Sequence, residues 1–136
     1  MNTCLEDDRS FDDLWDRVYH PFRLKLISRG AKFLGKGRGR TVYRLGNLVW
    51  KIPHNWQGVE HNETEARSRE NPDDTDIPLA RCRLLKDFIL AMEYVKPRVC
   101  RHRRICKCFP EWTDWVDCTQ VGVTRKGALV AYDYGG

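Results

Sequence analysis

Apolar residues return every three or four positions near the start of the chain, at Phe11, Leu14, Trp15, Val18, Tyr19 and Phe22. This spacing predicts an amphipathic helix. Ser10 stands as its N-cap with Asp13 three residues on, and the acids of the first turn suit the helix dipole. Pro21 is expected to end the helix or to lie just beyond it. The stripe is wide and aromatic, so it should cover a core or a partner. The period then shortens to two. "TVYRL" (41–45) and "LVWKI" (48–52) are strand-like runs separated by Gly46-Asn47, a hairpin signal. Phe33 and Leu34 begin a strand before them, which glycines interrupt.

A polar helix is expected over 59–70, where Val59, Asn62 and Ala66 form a stripe and Glu63/Arg67 and Glu65/Arg69 are i,i+4 pairs. "NPDDTDIP" reads as a loop by composition. Residues 79–85 and 88–94 read as a strand pair turning at Lys86-Asp87. Residues 96–109 are basic and irregular. "PEWTDWVDC" suits a short helix that starts at Pro110. "QVGVT" and "GALVAYD" form a last hairpin around "RKG". The sum is an α+β fold with mostly antiparallel pairing.

At 136 residues a single domain is the default. Hydrophobic content of 41% with 32% charged residues fits a globular chain. The apolar runs are too short to span a bilayer, and the acidic start has no apolar signal core. A cytoplasmic protein without membrane contact is therefore expected. Six cysteines at this length do not make a disulfide scaffold. The net charge of +5 hides segregation: residues 1–16 hold six acids and one base. Residues 29–44 carry Arg29, Lys32, Lys36, Arg38, Arg40 and Arg44 with no acid, and residues 96–108 are equally one-sided. Such segments imply an anionic partner: phosphate, nucleic acid or an acidic protein surface.

The order of these elements, with the motifs they carry, resembles the small lobe of the protein-kinase-like fold. "LGKGRGRTVY" looks like the glycine-rich loop G-x-G-x-x-G-x-V. Gly35, Gly37 and Val42 match it; Arg40 stands where the third glycine belongs. "LVWK" looks like the V-A-I-K strand, which puts Lys51 in the phosphate-contacting position. Val42 and Val49 would roof an adenine pocket. The helix over 59–70 would supply the glutamate that pairs with Lys51, Glu65 ahead of Glu63. "AMEYV" resembles the hinge, with Met92 as gatekeeper and Glu93 to Val95 offering backbone hydrogen bonds to a base. "DYG" resembles D-F-G, so the resemblance makes Asp133 and Gln120 magnesium ligands and ATP the nucleotide. The compactness is similar to that of kinase-like proteins encoded by bacteriophages, which implies a host-cell cytoplasm. The implied organisation is one kinase-like domain over 1–136. It comprises a helical extension (1–28), a small-lobe core of twisted antiparallel sheet with one packed helix (30–95), and a basic loop with a reduced large-lobe remnant of helix and hairpin (96–136).

The family's catalytic loop, H-R-D-x-x-x-x-N, has no counterpart in register. Trp115 falls where its aspartate belongs, and Asp114 and Asp117 are only nearby. A catalytically inactive protein that works by binding a partner is therefore expected. That partner is an acidic cellular protein or a second copy of the chain, met by Arg101, Arg103, Arg104, Lys107 and Tyr134. The rivals are a minimal ATP-dependent phosphotransferase and a basic nucleic-acid-binding module. For the latter, Phe109, Trp112 and Trp115 follow the basic run as stacking candidates, although weak, non-specific binding is all that is expected. Cys100, His102, Cys106 and Cys108 supply zinc-type donors, but C-x-H-x3-C-x-C matches no common zinc-knuckle spacing, and buried thiols are the favoured reading.

Overall fold

The structure, a computed structural model, describes residues 10–70, 79–97 and 121–132, with the side chains of 68–70 left aside. The first helix, α1 (residues 10–28), already includes Ser10, so that residue does not stand outside it as a cap. Pro21 does not end α1 either. A π-helical turn, Trp15–Tyr19, precedes an α-helical stretch, His20–Ser28, and the His20 N–H donates to the Trp15 carbonyl. A proline inside a regular α-helix lacks a donor and clashes with the carbonyl four residues back. The π-helical turn directly before Pro21 breaks that regular pattern, one of the recognised ways a helix takes in a proline.

Five strands follow: β1 (Lys32–Lys36), β2 (Arg40–Leu45), β3 (Leu48–Pro53), β4 (Cys82–Leu84) and β5 (Leu90–Glu93). They form an antiparallel sheet in the order β1-β2-β3-β5-β4. Helix α2 (Trp56–Glu70) lies between β3 and β4 in the chain. A second sheet joins β6 (Lys96–Pro97), β7 (Val121–Val123) and β8 (Leu129–Ala131) in that order. The start of the basic segment is thus strand rather than irregular loop. The architecture is α+β, as the alternation of periods implied.

Directly paired residues share a face. Val42 stands opposite Lys51, Lys51 opposite Leu90, and Val49 opposite Met92. Those side chains form the inner face of the large sheet; Tyr43, Trp50 and Ile52 form the outer one. Helix α1 covers the outer face with Phe11, Tyr19 and Leu26, all buried against Tyr43 and Ile52. Phe22 meets Trp50 edge to face at 5.4 Å. Both faces being covered, β2 is buried at four successive residues, Arg40 to Tyr43, instead of alternating.

The inner face meets the second sheet. Val42, Val49 and Met92 pack with Ala80, Val95, Val130 and Tyr132 in one buried cluster. The Ala80 N–H donates to the Ala131 carbonyl at 3.1 Å, and Leu79 bridges Ala131 in parallel, tying β8 to the segment leading into β4. A side chain at Gly122 would run into Val95 and lie 2.6 Å from the Lys96 carbonyl, so only glycine lets β7 approach this closely.

Candidate functional site

Lys51 sits in the middle of β3, on the inner face, with 0% of its surface exposed. The buried stripe of α2, Val59, Asn62 and Ala66, packs alongside. This brings Glu65 to Lys51, whose Nζ donates to Glu65 Oε2 at 2.9 Å and to Oε1 at 3.1 Å. Glu63 is not the partner. The side chain of Arg69, the expected i,i+4 partner of Glu65, lies outside the described residues.

A second cation shares that carboxylate. Arg40 Nη1 donates to Glu65 Oε1 at 2.7 Å and to Asn62 Oδ1 at 3.1 Å. Arg40 is only 3% exposed, which removes it from the cations of 29–44 expected to meet an anionic partner. Its place on β2 explains the difference. Period two sets it on the same face as Val42, towards α2. The amide of Asn62 completes the network, donating to the carbonyls of Lys51 at 3.0 Å and of Phe88 at 2.7 Å. Charge-assisted bonds of this kind are short and directional and offset much of the cost of taking charges out of water, while Arg40 Nε is left buried without a hydrogen-bond partner. Arg40 and Asn62 were not among the expected site residues. The sequence signal for Asn62 was an amide within an otherwise apolar helical stripe.

The glycine-rich segment is fastened to the start of α2. The Arg38 carbonyl accepts from His54 Nε2 at 2.9 Å and from Asn55 Nδ2 at 2.8 Å, and the Gly39 carbonyl accepts from the His54 N–H at 2.8 Å. A carbonyl only accepts, so His54 carries its proton on Nε2 and its Nδ1 takes the Thr41 hydroxyl at 3.3 Å. Asn55 Oδ1 caps α2 through the Gly58 N–H at 2.9 Å. Gly39 and Gly58 touch backbone to backbone: a Cβ on Gly39 would fall 2.6 Å from the Gly58 nitrogen. The glycine that the sequence places one residue early thus serves packing. At Gly35, an added Cβ would meet nothing within 4 Å. The Gly37 N–H donates to the Arg40 carbonyl at 2.9 Å, closing the turn.

The stretch from Glu93 to Val95, expected to serve as a hinge, is similarly engaged. Glu93 donates its N–H to the Arg81 carbonyl at 2.9 Å, and Tyr94 donates to the Asn47 carbonyl at 2.8 Å. The Arg44 guanidinium stacks 3.5 Å above the Tyr94 ring. Val95 is fully buried against β7, and Met92 is 1% exposed. Burial pushes the Tyr132 hydroxyl up from its ordinary pKa, with Tyr94 adding to the effect.

The structure therefore brings Val42, Val49, Lys51, Glu65, Met92 and Val95 together around one inner face, with Gly35, Gly37 and Glu93 on its strands and turns. Asp114, Asp117, Gln120, Asp133 and Tyr134 lie outside the described residues, as do Arg101, Arg103, Arg104 and Lys107 and the zinc candidates Cys100, His102, Cys106 and Cys108. No helix among the described residues is long and apolar enough to cross a membrane. No protein-family model, curated protein or solved structure matches the chain.

Proposed function

We propose that this chain is a kinase-like small lobe turned into a non-catalytic binding protein. The likeness is supported by the Lys51–Glu65 pair, set on a central strand and a packed helix in the order the family uses. The loss of activity is supported chiefly by one observation. Val42, Val49 and Met92, the side chains that would line a base pocket, are at most 1% exposed and pack against Val130 and Tyr132 of the chain's own hairpin. A nucleotide base would have to displace that hairpin. Arg40 adds to the case, since it stands at the family's third glycine and takes part of the glutamate that the lysine needs.

The working activity on this reading is recognition of an acidic protein partner. Phosphotransfer assays with labelled ATP and a generic protein substrate test it, alongside thermal melts with and without ATP and magnesium. A ligand that binds the folded state raises its melting temperature. The expected results are no transfer and no shift. Transfer that vanishes in Lys51→Met would overturn the proposal and promote a minimal phosphotransferase, the reading that the intact Lys51–Glu65 pair itself favours.

A further inference from the structure

The geometry points to β1 as a docking edge, where an extended acidic segment of a partner protein adds as a further strand. The inference rests on the reading of this chain as a binding protein. Among the described strands β1 lies at the edge of the large sheet, and its side chains are open to solvent. Phe33 is 59% exposed and Leu34 39%. Ile27 of α1, 43% exposed, extends the apolar surface. Single exposed apolar residues need no explanation, but Phe33 and Leu34 stand side by side on an edge strand, where β1 and β2 shift register, with Ile27 beside them.

A groove of about 870 Å³ runs beside this edge on the outer face. Phe33 and Tyr43 of the sheet and Trp15 and Ile27 of α1 line it, together with the polar side chains of Arg23, Lys36, Thr41 and His54. Strand addition uses these two features together: backbone hydrogen bonds along the edge give affinity, and pockets for alternate side chains give specificity. An apolar side chain at every second position of the incoming strand would enter the groove.

Charge selects the occupant. Arg29, Lys32, Lys36 and Arg38 are all exposed around this edge, and no acid lies between residues 29 and 44. Asp12, at the α1 side of the groove, is the acid that lines it. A second copy of the same edge would bring lysine against lysine, the device by which edge strands avoid pairing with themselves. An acidic strand meets the opposite condition and is steered towards it. The apolar side chains that both α1 and β1 contribute to the lining favour a peptide over nucleic acid, and Arg23 and Lys36 in the same lining favour acids on it.

The test is selection from a library of random twelve-residue peptides on the full chain, repeated on the Lys32→Glu/Lys36→Glu variant and on Phe33→Ser. These positions are exposed, and melting curves check that the variants fold. Selected peptides should alternate acidic and apolar residues. Their binding should weaken at least tenfold on each variant, and amide exchange in β1 should slow when they bind. No enrichment, peptides without acids, or binding that ignores both variants would overturn the inference. So would a dimer in sedimentation that the double variant dissociates, or oligonucleotide binding that it abolishes. Failure here with no nucleotide bound leaves the non-catalytic reading standing. Nucleotide binding removes that reading and leaves the edge to be judged by its own peptides.

Discussion

Replacing Glu65 by alanine would leave Lys51 and Arg40 buried on either side of a methyl group. Removing one member of a buried charge network costs about 3–5 kcal/mol, and urea denaturation of Glu65→Ala should show a loss of that order. Arg40→Met should cost clearly less. It keeps the stem's packing, leaves Lys51 with its carboxylate, and removes a guanidinium whose Nε already lacks a hydrogen-bond partner. If the two variants lose equal stability, the sharing of Glu65 is not what holds this face. Tyr19 supplies a second test at this scale. Burial, with the nearby Asp87 charge adding to it, pushes its hydroxyl up to about 12, and that hydroxyl donates to the Asp87 carbonyl at 2.9 Å. A phenol with a raised folded pKa holds its proton better when folded. Its contribution is therefore complete below the unfolded value of about 10 and is lost as pH rises towards 12. The stability difference between the native chain and Tyr19→Phe should shrink by ~2 kcal/mol over that window. A constant difference would show that the two states titrate alike.

The hairpins explain what could and could not be read in advance. Gly46-Asn47 declared its turn, and the structure gives Gly46 a φ of +63° with Asn47 on the ordinary side, the arrangement of a type II′ loop. The loops Lys86 to Phe88 and Arg125 to Gly127 are alike: in each, two backbone hydrogen bonds close three residues, and the third is left-handed. Gly127 takes that position freely at φ 89°, whereas Phe88 is held there at φ 64°. A phenylalanine gives no sign of such a conformation, so the sequence pointed to a turn at Lys86-Asp87 and missed its third residue. Asn62 accounts for it, since its amide grips the Phe88 carbonyl. Left-handed backbone costs a residue with a Cβ roughly 1–2 kcal/mol. Phe88→Gly should therefore stay within about 1 kcal/mol of the native stability, because the relief of strain is offset by the lost burial of a ring that is 39% exposed; a loss of several kcal/mol would mean the ring's contacts far outweigh the strain. The helix over 59–70 was legible from its stripe, but its start at Trp56 was not. That start depends on Asn55 as cap and on the contact of Gly39 with Gly58, two glycines nineteen residues apart. Gly58→Ala would drive its methyl into the Gly39 carbonyl. It should cost a few kcal/mol (about 1–3) by the measure of overpacked sites, and a neutral effect would show that the loop detaches easily.

At the scale of the whole molecule, sequence order located the inner face but not its condition. The shared facing of Lys51, Val42, Val49 and Met92 was recognisable by strand period, yet a one-dimensional pattern does not say whether a face is open or filled. Filling depends on residues far along the chain: Gly122, whose lack of a side chain lets β7 settle under Val95, and Val130 and Tyr132, which reach Val42 and Met92. Likewise the stripe on α1 left core and partner as equal outcomes, and only the aromatic outer face of β2 and β3 decides for the core. On the proposed reading, the chain's own hairpin occupies the place where a nucleotide base would sit. Methyl-resolved NMR during a titration with ATP and magnesium tests it most directly. The account predicts contacts between the Val130 methyls and those of Val42 and Met92 that persist unchanged, with no shift of the Val42, Val49 or Met92 methyls at millimolar nucleotide. Saturable shifts of those methyls, lost in Lys51→Met, would contradict it.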